Sequence, residues 1–156
     1  MVTYFSPSSV VKPKFRSPQY YIDCAKEAAS LSPMRRKLGA VLVDSKGSII
    51  ACGYNSYQTH PIYGTKKDTY RYISNSGFMH AEGACLYDAK KKGYQIQDLS
   101  SCAMFVYRAS WNLSKPCVHC QKLLVDFGVK TVYYTDKLTD GRKVVVKEEY
   151  IDPEFI

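Results

Sequence analysis

The chain has no long hydrophobic run. None of its 156 residues falls in a stretch that reaches the roughly 18 uncharged apolar residues of a membrane span, so no transmembrane helix is expected. The opening residues, Met1 to Val11, lack both a basic start and an apolar core, so no secretory signal is expected either, and a reducing cytoplasmic setting follows. Histidine is scarce, at three, and there is one tryptophan. No internal repeat and no low-complexity tract is present. Acid is missing from the start: residues 1–17 hold none, yet include Lys12, Lys14 and Arg16. That segment reads as a basic N-terminal arm, ordered only where it docks, ahead of a single domain over 18–156.

What is there is ordinary for a globular core: 46% hydrophobic and 23% charged residues, at a length that buries most of the apolar surface. The charge is not ordinary. Lys and Arg number 22 against 14 Asp and Glu, for a formal +8, which suits phosphates or nucleic acid as partners, or serves solubility alone. Six cysteines in a reducing setting are not read as disulfides. Cys24, Cys52, Cys85 and Cys102 are expected as small core residues. His60, ahead of Pro61 in a loop, reads as an ordinary polar contact rather than as a metal ligand with Cys24 or Cys52.

The hydrophobic pattern gives an order αββαβαββ. A helix follows Pro18 over Gln19 to Leu31 and stops at Pro33. Two apolar runs, Leu38 to Val43 and Ser48 to Cys52, flank Lys46-Gly47 as a hairpin. Gly53 to Phe78 has no period and reads as a long functional loop. A helix runs from His80 to Gly93, with Lys90, Lys91 and Lys92 suiting its last turn. Then come a strand over Ser101 to Tyr107, a helix over Cys117 to Phe127, and strands over Lys130 to Thr135 and Val144 to Val146. Only Asp136 to Lys143 separate the last two, too few residues for a parallel crossover, so these strands should pair antiparallel. The class is α/β.

Chemistry concentrates at His80-Ala81-Glu82 and Pro116-Cys117-Val118-His119-Cys120. Cys117 and Cys120, three apart at a helix start, share one face, and the helix N-terminus favours thiolates there. Pro116 suits the first turn. His80 opens another helix. If the two helix starts meet, one imidazole and two thiolates face one point, which is a zinc ligand set with the fourth tetrahedral position open to water, as in catalytic sites. Glu82 then faces that water without ligating and moves its proton. His119, between the two cysteines, should point away.

The two motifs together, H-x-E and P-C-x-x-C, are the signature of zinc nucleobase deaminases, and over roughly residues 20 to 135 the chain resembles the cytidine/deoxycytidylate deaminase superfamily. The resemblance implies a three-layer α/β/α fold around a mixed sheet of about five strands, bound zinc, and usually a homo-oligomer. It carries Asn55, in Gly53-Tyr54-Asn55, over as a substrate contact, and gives Ala81 a backbone N–H for the base carbonyl. The segment Tyr107 to Lys115 departs from the short turn common in the family. It holds Trp111, which either stacks on the base or packs the loop against the body.

The ligand motif does not separate one base from another, and cytosine is the family's default. Lys66 and Lys67 in the long loop, among Tyr63, Tyr70 and Tyr72, suit a 5′-phosphate or a single strand of nucleic acid. A compact chain and no recognisable nucleic-acid module lean towards a free nucleotide, and the antiparallel final pair resembles the family's free-nucleoside enzymes rather than its polynucleotide-editing members. Deoxycytidylate deaminases usually carry a helix and a parallel fifth strand that this pattern lacks. The expectation is hydrolysis of a cytosine nucleotide, with dCMP to dUMP leading. The alternatives are an editing deaminase acting on single-stranded DNA or tRNA, and a zinc-containing nucleic-acid-binding protein without turnover.

Overall fold

The computed structural model describes residues 16–57, 79–109, 113–137 and 144–150, with the backbone alone at 96, 137 and 144–150. Helix α1 (Pro18–Ala29) starts at the Ser17 cap, whose side chain accepts from the Tyr20 amide, with proline in the first turn. It is shorter than the sequence pattern suggests: Leu31 lies past its end and is largely exposed. Strands β1 (Leu38–Val43) and β2 (Ile49–Tyr54) form the hairpin. Its turn is held by Asp44, whose carboxylate accepts from the Lys46 and Ser48 amides at 2.9 Å each.

After α2 (Ala81–Lys91) comes a turn of helix that periodicity did not show, α3 (Ile96–Leu99). Its signal is the capping box of Gln95 and Asp98, a pairing that satisfies two orphan amides at once. Strand β3 (Ala103–Arg108) therefore starts later than Ser101, and it takes in Tyr107 and Arg108, the first residues of the supposed inserted loop. Helix α4 (Val118–Asp126) leads to β4 (Thr131–Lys137), and β5 (Val144–Tyr150) runs past the expected Val146. Gly53 and Tyr54 belong to β2 rather than to the long loop.

The strand order is β2-β1-β3-β4-β5. β1 is antiparallel to both neighbours, β3 and β4 are parallel, and β4 and β5 are antiparallel from Thr131↔Tyr150 to Lys137↔Val144. Side chains alternate between the two faces of a strand, and the sheet uses both. Val41, Val43, Ala103, Phe105 and Tyr107 pack with Tyr21, Ile22 and Ala25 of α1. Ala40, Leu42, Met104, Val106 and Val132 pack with α2 and α4 through Cys85, Leu86, Leu123 and Leu124. Burial on both faces is why β1 reads as an unbroken apolar run rather than an alternation.

Two glycines allow the helices to lie this close. A Cβ on Gly39 would collide with the carbonyl of Ala25 in α1, and one on Gly53 with the amide of Cys85 in α2. Gly53 thus seats the helix that carries His80 and Glu82 at its start. Two of the four expected core cysteines are buried, Cys85 and Cys102. Cys24 is half-buried and Cys52 is exposed. Cys52 sits on β2, an edge strand, at a position facing outward between buried Ala51 and Gly53, so it is not a core residue. The basic arm lies outside the described residues apart from Arg16 and Ser17. Arg16 places its guanidinium 4.8 Å over the Tyr20 ring.

Candidate metal centre and active site

The site lies at one end of the sheet, where β2 and β3 finish and α2 and α4 begin. His80 is the N-cap of α2 and Cys117 the N-cap of α4. Neither caps with its side chain, which leaves the imidazole and the thiol directed to the site instead. Cys120 lies one turn into α4 and is buried. The ligand atoms of His80, Cys117 and Cys120 all fall within 4.8 Å of one another, and Cys120 Sγ stands 3.4 Å from His80 Nδ1. A tetrahedral zinc with bonds of about 2.3 Å to sulfur and about 2.0 Å to nitrogen holds its ligand atoms roughly 3.5–3.8 Å apart. Both the donor set and its spacing therefore fit zinc.

The electrostatics of the cluster agree. Cys117 is lowered to about 4, first by the hydrogen bond with Cys120, against burial, and then by His80. Cys120 is pushed well up by the same bond and by burial. The pair thus shares one proton, which a metal ion would displace. Burial pulls His80 down, but the hydrogen bond with Cys117 and the charge of Glu82 outweigh it and raise the imidazole. Glu82, in the first turn of α2, is 4% exposed. Burial raises its carboxyl, with His80 opposing.

A cavity of about 220 Å³ opens on this cluster, lined by Asn55, His80, Ala81, Glu82, Arg108 and Cys117 among others. The structure therefore brings five predicted residues besides Cys120 to one place. Asn55 has its amide engaged: Oδ1 accepts from the Leu38 amide at 2.9 Å and Nδ2 donates to the Arg36 carbonyl at 2.7 Å. It braces the start of β1 while lining the cavity. Trp111, Lys66, Lys67 and His60 lie outside the described residues. His119 is half-buried on α4 and is not in the ligand group. A larger cavity, about 670 Å³, runs along β2 past Tyr54, Tyr87 and Lys91 and contains none of the ligands. Size is a poorer guide here than the convergence of titratable groups.

Sequence reasoning gave no role to Arg108, Ser114 and Lys115, which also line the site. Ser114 is 3% exposed. Its hydroxyl donates to the Val106 carbonyl at 2.7 Å and accepts from the Thr135 amide at 2.7 Å and the Thr135 hydroxyl at 2.9 Å. Nothing in a Ser-Lys-Pro-Cys string announces this, because the partners come from β3 and β4. Within α4, Gln121 donates to the Pro116 carbonyl at 2.8 Å, steadying the turn that presents Cys117.

The profile of the family described as the cytidine and deoxycytidylate deaminase zinc-binding region matches residues 16–136. The chain belongs to this family, and its His80, Cys117 and Cys120 are placed to hold the metal. No curated protein sequence matches the chain significantly. Among solved structures, the cytidine deaminase of Burkholderia pseudomallei is 20% identical at a TM-score of 0.62, over 87% of this chain and 94% of that one, a likeness of fold. The dCMP deaminase of the cyanophage S-TIM5 is 26% identical. Its apo form aligns at a TM-score of 0.55 over 80% of this chain and 86% of that one. Its complex with dCMP and dUMP aligns at 0.53 over 79% and 85%. Among the described residues no helix is long and apolar enough to cross a membrane.

Proposed function

We propose that the chain is a zinc-dependent hydrolytic deaminase of a cytosine nucleotide, with dCMP to dUMP and ammonia as the leading reaction. One observation carries it: a buried carboxylate, Glu82, shares a cavity with His80 and Cys117 of a three-ligand cluster at two helix starts. A structural zinc would call for a fourth protein ligand, and among the described residues the group has three. The cyanophage dCMP deaminase, with dCMP and dUMP in one of its structures, supports the choice of nucleotide.

Bound zinc would be held by His80, Cys117 and Cys120 and would supply acidified water. Glu82 would take one proton from the attacking water and pass it to the ring nitrogen as the C–O bond forms, then pass a second, from the added hydroxyl, to the amino group, which leaves as ammonia when the C–N bond breaks. The Ala81 amide receives the base carbonyl, and Asn55 holds the rim of the cavity and contacts the substrate. Trp111, Lys66 and Lys67 keep the substrate roles that the sequence suggested. The reading takes 18–156 as one zinc deaminase domain of three-layer α/β/α design with five strands, preceded by the arm over 1–17. It also takes the chain as a cytoplasmic homo-oligomer.

Ammonia release should be measured from dCMP, CMP, dCTP, cytidine, deoxycytidine and a cytosine-bearing oligonucleotide. The expected result is release from a free nucleotide, abolished by metal removal and by Glu82→Gln. Release confined to the oligonucleotide would favour an editing enzyme, in keeping with the +8 charge. Zinc binding with no release from any of the six would leave a binding protein.

A further inference from the structure

The geometry points to Arg108 and Lys115 as the pair that reads a phosphate ester on the substrate, which makes them specificity residues of the cavity. The inference rests on the deaminase reading above. Both residues line the same cavity as Glu82 and His80. Both also stand on fixed backbone. Arg108 ends β3 in register with Leu38 of β1, and the next amide, Ala109, donates to the Lys37 carbonyl at 2.8 Å, so the strand pairing continues past it. Lys115 lies between two buried residues, Ser114 and Pro116. Ser114 is fastened to β3 and β4 by its hydroxyl, and its amide donates to the Thr135 carbonyl at 3.0 Å. An exposed lysine therefore projects from a pinned main chain.

Charge and size give the direction. Among the described lining residues Glu82 is the single carboxylate, against the two cations. Arg108 makes no ion pair among the described residues, and it is half-buried, so part of its stem is already ordered. A planar guanidinium beside an ammonium suits a phosphate: the first binds it bidentately and the second adds a point charge. At about 220 Å³ the cavity is below the roughly 300–1,000 Å³ of drug-sized sites. That suits one base with its phosphate beside the two cations, a fit shared by a free nucleotide and by a single base flipped out of a strand. The phosphate source, in keeping with the proposed reaction, is a free nucleoside monophosphate. An oligonucleotide offers the same group, and the experiment distinguishes the two.

The test uses the zinc-loaded full chain and its Arg108→Ala, Lys115→Ala and doubly substituted variants. Binding of dCMP, deoxycytidine and a cytosine-bearing oligonucleotide is measured by calorimetry, and turnover of each by ammonia release. The ratio of dCMP to deoxycytidine affinity, and of their kcat/KM values, should fall about tenfold or more in each single variant and further in the double, through KM rather than kcat. Arg108→Lys should restore part of the ratio. Equal losses for dCMP and deoxycytidine would overturn the inference by showing that the pair only braces the cavity, as would an unchanged ratio. A loss confined to the oligonucleotide would overturn the free-nucleotide source. If turnover is absent throughout but the binding ratio still falls, the deaminase reading fails and the phosphate subsite stands.

Discussion

The two faces of the sheet are built from the same strands and carry opposite burdens. On the α1 face Phe105 stacks on Tyr133 at 4.4 Å and 4° and lies 4.9 Å from Tyr21. The Tyr21 hydroxyl on that face donates to the Gly47 carbonyl at 2.7 Å. On the α2 and α4 face the core surrounds Cys85, Cys120 and Glu82, all buried and all displaced upward in pKa. One face stabilises, while the other holds titratable groups that cost free energy when buried without partners. The strands do not make the difference, since Ala40 and Leu42 are as apolar as Val41 and Val43. The helices do. α2 and α4 begin at the same end of the sheet, so their first turns converge. Helix starts are where side chains and anions find unsatisfied amides.

Breaking the second face should cost function first. Cys120→Ala removes a buried ligand and should abolish both zinc retention, read by metal analysis, and ammonia release. Glu82→Gln should keep zinc at one per chain while lowering turnover by about 10²–10⁴, the usual worth of a general acid–base group. Loss of zinc in that variant would show that the carboxylate serves the fold rather than the reaction. Breaking the first face should do the reverse. Phe105→Ala deletes a buried ring and should cost about 3–5 kcal/mol in denaturant unfolding, while the folded fraction keeps its zinc stoichiometry.

The smallest effect separates cysteines by their surroundings. Cys117 is lowered to about 4, chiefly by its bond with Cys120, whereas burial raises Cys102 to about 11. A group with a lowered value is deprotonated above that value, so at neutral pH metal-free Cys117 is thiolate and Cys102 is thiol. Iodoacetamide at pH 7 should label Cys117 well ahead of Cys102, as read by peptide mass spectrometry, and zinc should suppress that labelling. Equal labelling of the two would remove the electrostatic distinction.

Much of this was legible beforehand because it is local. A ligand pair three residues apart at a helix start lies on one face whatever surrounds it, and an eight-residue link cannot hold a parallel crossover. Cys52 was misread because residue type does not tell an edge strand from a central one, and edge position is a property of strand order. The turn of helix at Ile96–Leu99 escaped because four residues are too few to show a period. Ser114 escaped because its partners, Val106 and Thr135, are respectively eight residues behind it and 21 ahead.

The sequence by itself determined the donor set, the carboxylate proposed as general acid–base and the order of the elements apart from α3, since each is written in residues close together along the chain. Only the tertiary structure decided that the imidazole and the thiols, about forty residues apart, lie within one ion's reach. It also decided that Arg108 and Lys115 face the same cavity as Glu82. The reason is physical: spacing along a helix follows from backbone geometry alone, whereas meeting across a sheet depends on which strands pair and on how closely two glycines let the helices approach.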